Sequence, residues 1–281
     1  MLDRSVLWDY VYVVGPLAVL SATILSLLSS AIWSRNVGET SCAWRTNYSP
    51  DGRAFVIWGI IYVGAIVVTV AQLTATFGVF DWGVNLLWGL AWTCCALWVP
   101  LFDAESPSAL LAAMVAIVAG AGFATVAAWM SQIWILEPGE PPDKRLQQLA
   151  LGWPLTLLAG WLTAASAINV GIALMANDAT ASQPCVKVNP RRSDESEGDY
   201  RNRRRVLYRE AYASAPVQPS FVPLLLAAAV AGLSMLIRDP LYPLPLAWAI
   251  LNLPSFPSCV GLASLLVCGC GSVGAAARIF L

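Results

Sequence analysis

The sequence predicts an all-α integral membrane protein, and two observations carry that reading. The first is the run RAFVIWGIIYVGAIVVTVAQLTATF at residues 53–77, which after Arg53 holds no charged side chain until Asp81. At about 1.5 Å of rise per residue, such a run is long enough to cross a hydrocarbon core of about 30 Å. Comparable runs recur along the chain. The second observation is composition: the 281 residues are 58% hydrophobic and 12% charged, with a mean hydropathy of +0.66. Soluble domains carry about 25% charged residues, and the deficit is what a bilayer demands, because an ionised side chain at mid-membrane costs several kcal/mol.

Eight spans are expected, with seven as the fallback. Segment one runs from about Val11 to Trp33; Asp3 and Asp9 spoil the basic start of a signal peptide, and the apolar run is long enough to span. The polar stretch SRNVGETSCAWRTNYSPDG reads as a loop. Segment two covers about Ala54–Phe77 and segment three about Val84–Phe102. Ser106-Pro107 starts segment four, about Ala109–Leu136, with proline in the first turn. Segment five is about Leu149–Met175, with Pro154 in its first turns, where a missing N–H is tolerated. Residues 177–219 contain NPRRSDESEGDYRNRRR, too poor in apolar side chains for a core, and read as an extramembrane loop. Segment six, about Phe221–Ile237, is ended by Arg238-Asp239-Pro240. Segment seven, Leu241–Leu253, is short and holds Pro243 and Pro245; it is a distorted span or a re-entrant piece. Segment eight, about Val260–Leu281, is rich in Gly and Ala, which suits close helix packing. Most Lys and Arg follow segments one and five, so the positive-inside rule places that side toward the cytoplasm or its organellar equivalent, with both termini opposite.

The residue inventory narrows the chemistry. There is no histidine, which removes the commonest general base and metal ligand. The two lysines, Lys144 and Lys187, lie in polar segments. Of seven cysteines, Cys94, Cys95, Cys268 and Cys270 sit in apolar runs, where cysteine packs as a small hydrophobe. No phosphate-cradling loop, thiol–histidine pair or acid–base carboxylate pair is visible, so no enzyme and no metal site is expected. The net charge of −1 and the short basic cluster argue against nucleic acid. No visible internal repeat and no acidic or basic residue well inside segments one to five argue against a transporter.

Tryptophan is the unusual residue, 13 against 8 Phe and 8 Tyr. Trp8, Trp33, Trp44, Trp82, Trp134 and Trp153 fall near segment ends and fit an interfacial belt. Trp58, Trp88, Trp92, Trp129, Trp161 and Trp248 lie deeper, either as core or as the wall of a flat-ligand pocket. Trp88 and Trp92, four apart, share a helix face. Asn85 and Asn169 lie inside apolar helices and need partners in lipid. For Asn169 those expected are Asn85, a backbone carbonyl of segment two or three, or a ligand.

The spacing of these residues resembles a known pattern. SPDGRAFVIWGIIYVG is similar to the second-helix signature of the tryptophan-rich sensory protein family, the TspO and translocator-protein relatives: a loop proline, Phe, Trp, then Tyr four later, carried here by Pro50, Phe55, Trp58 and Tyr62. NLLWGLAW resembles the family's Asn-x-x-Trp through Asn85 and Trp88. PLTLLAGWLTAASAIN resembles its fifth-helix pattern through Pro154, Trp161, Ala165 and Asn169. RDPLYPLPLAWAIL is similar to the Asp-Pro…Trp-Ala segment of the long, divergent branch, which carries extra C-terminal helices. The family's double proline is reduced to Pro50 alone.

The resemblance implies a TspO-like five-helix bundle over residues 1–176, a polar loop over 177–219 and about three further transmembrane helices over 220–281. It implies a pocket between helices for a planar lipophile, a porphyrin or other tetrapyrrole or a sterol. Phe55, Trp58, Tyr62, Asn85, Trp88, Trp161 and Asn169 would form that site, with Trp58, Trp88 and Trp161 as stacking walls and Asn85 and Asn169 orienting polar edges. The rival reading is a non-catalytic accessory subunit of a larger membrane complex, for instance an organellar photosynthetic or respiratory one, with the 177–219 loop as docking arm. Partners on these readings are membrane lipids, the planar ligand, and a second copy or a larger complex. The membrane is plasma or organellar.

Overall fold

The computed structural model describes residues 4–44, 46, 48–74, 80–104, 106–133, 142–177, 194–196, 198–200, 202–203, 206–207, 222–253, 256 and 259–280. Eight α-helices are labelled here in chain order. They are α1 (Arg4–Ala43), α2 (Ile57–Leu73), α3 (Trp82–Asp103), α4 (Pro107–Ile133), α5 (Pro142–Asn177), α6 (Val222–Ile237), α7 (Leu244–Leu251) and α8 (Cys259–Phe280). A 3-10 turn, Gly52–Val56, leads into α2. Asp51 starts it by accepting the Arg53 backbone N–H at 3.2 Å, satisfying a donor that a helix start leaves free.

Helices α1 to α5 close into a ring. α1 packs along α3, α3 along α4, α4 along α5, and α2 closes the circle between α5 and α1. Small residues let the backbones approach. A Cβ on Gly120 of α4 would stand 3.1 Å from Cys94 Cβ of α3, and Ala113, Ala124, Ala127 and Ala128 of α4 are buried. In lipid this close packing, not water exclusion, drives helix association. Interhelical hydrogen bonds add to it: Ser29 Oγ of α1 donates to the Ala96 carbonyl of α3 at 2.7 Å. The large apolar side chains that remain exposed, such as Val63 and Val67 of α2 and Leu97 of α3, point outward from the ring.

The C-terminal helices pack outside the ring. α7 lies against α5, and α6 pairs with α8. The Gly/Ala-rich α8 does pack closely, since a Cβ on Gly271 would stand 2.7 Å from Ala231 Cα of α6. At one end of the molecule Asp239 meets Gln132 of α4 and Thr156 of α5. At the other, Asn252 accepts the Asp51 N–H at 2.7 Å. Segment seven therefore runs from one end to the other, although only the eight residues of α7 are helical. Among the described residues six helices, α1 to α5 and α8, contain stretches long and apolar enough to cross a membrane. The 16-residue α6 is a shorter apolar helix.

Two sequence expectations change. The stretch from Ser34 to Ala43, read as loop, continues α1; Val37 and Thr40 are buried there, so this polar-looking extension has a packed face. α5 begins at Pro142, so Pro154 is interior to the helix, not in its first turns. Of the polar segment 177–219, the structure describes Asn177, at the end of α5, and parts of 194–207; Cys185 lies outside the described residues. Within that part Arg203 pairs with Glu195 at 2.7 Å and lies over the Tyr200 ring at 5.3 Å.

Candidate functional site

An aromatic cluster occupies the centre of the ring. From α2 come Trp58 and Tyr62, with Phe55 from the turn before it; spacings of three and four residues put them on one face. α3 supplies Trp92 and α5 supplies Trp161. Tyr62 stacks on Trp92 at 4.8 Å between centroids and on Trp58 at 5.6 Å. Trp161 meets Trp58 edge-on at 6.2 Å and Phe55 edge-on at 5.9 Å. These offset-stacked and edge-to-face arrangements are the favoured ones, worth about 0.5–1.5 kcal/mol per pair beyond buried area. α1 completes the site: Ser26 and Ser30 hold the Tyr62 hydroxyl at 2.8 and 3.2 Å, which fixes the ring over Trp92.

The cluster is graded in exposure. Trp92 is wholly buried and Trp161 nearly so, whereas Trp58 and Phe55 are half-buried at its outer edge. The indole N–H groups of Trp92 and Trp161 are buried and have no hydrogen-bond acceptor among the described residues. An unpaired buried donor costs about 1–3 kcal/mol; Trp88 Nε1 and Gln72 Nε2 of the ring share that state, and what sets Trp92 and Trp161 apart is their place beside the half-buried aromatic wall.

The structure thus brings Phe55, Trp58, Tyr62 and Trp161 together and places the other three expected residues elsewhere. Asn85, in the first turn of α3, donates to the Phe80 carbonyl at 2.9 Å, while Gln72 of α2 accepts the Phe80 N–H at 3.0 Å. These two amides clamp the end of the α2–α3 connection. Trp88 packs beneath it, edge-on to Phe80 at 6.0 Å. Asn169 lies near the opposite end of the ring. Its Oδ1 accepts the Trp98 indole N–H at 2.8 Å, and its Nδ2 donates to the Ala165 carbonyl one turn back. The expected partners of Asn169 are therefore corrected: it faces neither Asn85 nor a carbonyl of α2 or α3, but an indole of α3. Trp98 lies thirteen residues past Asn85 on α3, an axial separation of about 20 Å.

Among the other tryptophans, Trp153, half-buried near the start of the apolar stretch of α5, packs its six-membered ring over Gly64 of α2. Trp129, expected deep, is 46% exposed on the outer face of α4. Trp33 is exposed at the end of the apolar stretch of α1, ten residues before the helix itself ends, and Trp82 is exposed at the start of α3. The side chains of Trp8 and Trp134 lie outside the described residues. Trp92 is the residue of this cluster that the resemblance did not assign to the site, though it is legible as the α3 neighbour of Trp88. Trp98, which pairs with Asn169 and lies outside the cluster, has no local signal.

One shallow cleft lined by described residues lies apart from this cluster, between α5, α6 and α7, with a cavity volume of about 20 Å3.

The chain was compared with known proteins. No curated protein and no solved structure matches it. The family described as TSPO-like protein matches residues 12–184, which takes in the ring of α1 to α5, including the aromatic cluster, and stops before α6. That match covers well over half the sequence and coincides with the closed helical ring, and the chain is therefore a multi-pass membrane protein of the TSPO-like family.

Proposed function

We infer that this protein binds a planar lipophilic ligand at the central aromatic cluster, with the half-buried Trp58 and Phe55 as the entry face. The observation that supports it is that two of the three indole N–H groups buried without an acceptor among the described residues, those of Trp92 and Trp161, lie next to that face. A flat apolar ring system would stack on Trp58, and acceptor atoms on its edge would take the two donors. A tetrapyrrole offers several such acceptors and a sterol one hydroxyl, so the tetrapyrrole fits the donor pair better. No catalytic step is part of this reading.

The test is a titration of the purified protein with a porphyrin, followed by tryptophan quenching. Trp58→Ala and Trp161→Ala should each weaken binding by about 2- to 12-fold, the equivalent of 0.5–1.5 kcal/mol. Trp92→Phe keeps the stacked ring but loses the donor, and should weaken a porphyrin more than an apolar polycyclic hydrocarbon. Unchanged titrations in a still-folded Trp58→Ala/Trp161→Ala variant would refute the site.

One observation favours the second reading, an accessory subunit of a larger complex. Trp88 and Trp92 are 0% exposed and packed against protein on all sides. A scaffold predicts that the folded double variant binds porphyrin as the wild type does and that mild-detergent purification retains partner proteins.

A further inference from the structure

The two indole donors of the aromatic cluster lie behind a wall. Trp92 and Trp161 are buried, and the half-buried rings of Phe55 and Trp58 pack over them. A ligand reaches those N–H groups only if the wall moves. Phe55 belongs to the 3-10 turn Gly52–Val56, and Trp58 lies in the first turn of α2, so the wall moves with this turn.

Segment seven, which lies beyond the family match, holds the turn in place. Trp248 Nε1 of α7 donates to the Ala54 carbonyl at 3.0 Å, one residue before Phe55. The Asn252 carbonyl accepts the Asp51 N–H at 2.7 Å, one residue before the turn. The other end of the segment is fixed to α4 and α5. The Tyr242 hydroxyl lies 3.0 Å from Thr125 Oγ1 and 2.9 Å from Thr163 Oγ1, and a Cβ on Gly160 would stand 3.2 Å from Pro245. Gly160 and Thr163 flank Trp161 in the chain. Segment seven therefore joins the two sides of the outer edge of the site, α5 with Trp161 and the turn with Phe55. The ends differ in burial. Tyr242 is wholly buried, whereas Trp248 is 39% exposed, so the bond to the turn is the end that opens more readily.

We propose that segment seven is a strap on the aromatic site, with Trp248 as the positioning residue that holds the Phe55 wall closed and sets how fast a planar ligand enters and leaves. This rests on the planar-ligand reading of the cluster. The Trp248–Ala54 bond is broken for passage and is made both before and after it. It therefore slows entry and exit alike and leaves affinity unchanged. The C-terminal helices thereby regulate access to a site built by the five-helix ring.

Two measurements on the full chain in mild detergent test it. The first is hydrogen exchange without ligand. Trp248→Phe keeps an aromatic ring and removes the N–H, and should speed exchange of the amides of residues 52–58 about threefold, the equilibrium worth of an average interhelical hydrogen bond. Trp129→Phe, on the outer face of α4, is the control and should leave them unchanged. The second is stopped-flow tryptophan quenching by protoporphyrin IX. Trp248→Phe should raise the association and dissociation rate constants by the same factor of about three and leave Kd as in the wild type. A merely structural role would weaken binding through dissociation and leave association unchanged. Unchanged exchange at residues 52–58 overturns the strap and leaves the ligand reading standing. A loosened turn with unchanged rate constants, or a weaker Kd with unchanged association, overturns the control of access. A wild type that binds no porphyrin refutes the ligand reading, and the control of access with it, whatever the turn does.

Discussion

Asp239 offers the sharpest perturbation. It lies in the connection between α6 and α7 and is 1% exposed. Its Oδ2 accepts from Gln132 Nε2 at 2.9 Å and from Thr156 Oγ1 at 2.6 Å; its Oδ1 accepts the Leu241 N–H at 2.8 Å. One carboxyl group thus ties α4, α5 and the approach to α7 together. Asp239→Ala removes all three acceptors and leaves three buried donors. Interhelical hydrogen bonds in membrane proteins average about 0.6 kcal/mol with a ceiling near 1.7, so the two from Gln132 and Thr156 give about 1 to 3 kcal/mol. The local Leu241 bond and the desolvation cost of the orphaned donors add to this, for an expected loss of about 3–5 kcal/mol. Asp239→Asn keeps one acceptor oxygen, and the Thr156 hydroxyl and Gln132 amide can turn to meet the new donor. Its expected loss is about 1–2 kcal/mol.

The assay is thermal unfolding in mild detergent, with helix content and tryptophan emission read together. Burial pushes the Asp239 carboxyl above the ordinary carboxylate range; Thr156, the Leu241 N–H and Gln132 oppose this without cancelling it. The folded protein therefore holds its proton more tightly than the unfolded chain. The stability from this group is complete below the unfolded value, about 3.9, and is lost as pH rises through the raised folded value. Wild-type stability should fall over that interval, and Asp239→Asn, which resembles the protonated acid, should flatten the fall. An Asp239→Ala variant that melts with the wild type, or an Asn variant that is the worse of the two, would refute the reasoning.

Three further outcomes are expected in the same assay. Gly160→Ala drives a Cβ into the Tyr242 carbonyl and within 3.2 Å of Pro245, and should cost about 1–3 kcal/mol, whereas Gly122→Ala, with nothing within 4 Å, should be neutral. Asn169→Leu leaves the Trp98 indole N–H unpaired at a cost of about 1–3 kcal/mol, which Trp98→Phe should partly restore; Asn169→Asp, which places a charge in the bundle, should be the more damaging single change. Arg238 has φ of 56°, a left-handed conformation that a side chain resists, so Arg238→Gly should leave stability unchanged or raise it by up to about 1 kcal/mol.

Much of the fold was legible because its boundaries carry local chemistry. Ser106-Pro107 opens α4 and Arg238-Asp239-Pro240 follows α6, and each boundary falls within a few residues of where that punctuation places it. The extension of α1 was not legible. Ser34 to Ala43 is polar enough to read as a loop, and only contact with the rest of the molecule shows that Val37 and Thr40 form a buried face. The aromatic cluster was legible in part. Phe55, Trp58 and Tyr62 share a helical face by spacing alone, but nothing local says that Asn85 serves the Phe80 peptide and not a ligand.

The least legible residues are those whose role is set by a distant partner. Trp98 and Asn169 are 71 residues apart; Asn169 inside an apolar helix signals that it needs a partner but not which one, and their bond exists because α3 and α5 lie on one ring. Asp239 is the stronger case. Next to a proline it carries the signature of a helix stop and, as an acid, the expectation of exposure. The stop is real, since α6 ends at Ile237 and Ser234 Oγ donates to the Asp239 carbonyl at 2.6 Å. The exposure is not, because Gln132 and Thr156, more than eighty residues upstream, bring donors to its carboxyl group. A stop signal depends on the backbone within one turn, whereas burial depends on which helices surround that turn. The same short motif therefore predicts its local geometry and hides its function as the link between the family ring and the C-terminal helices.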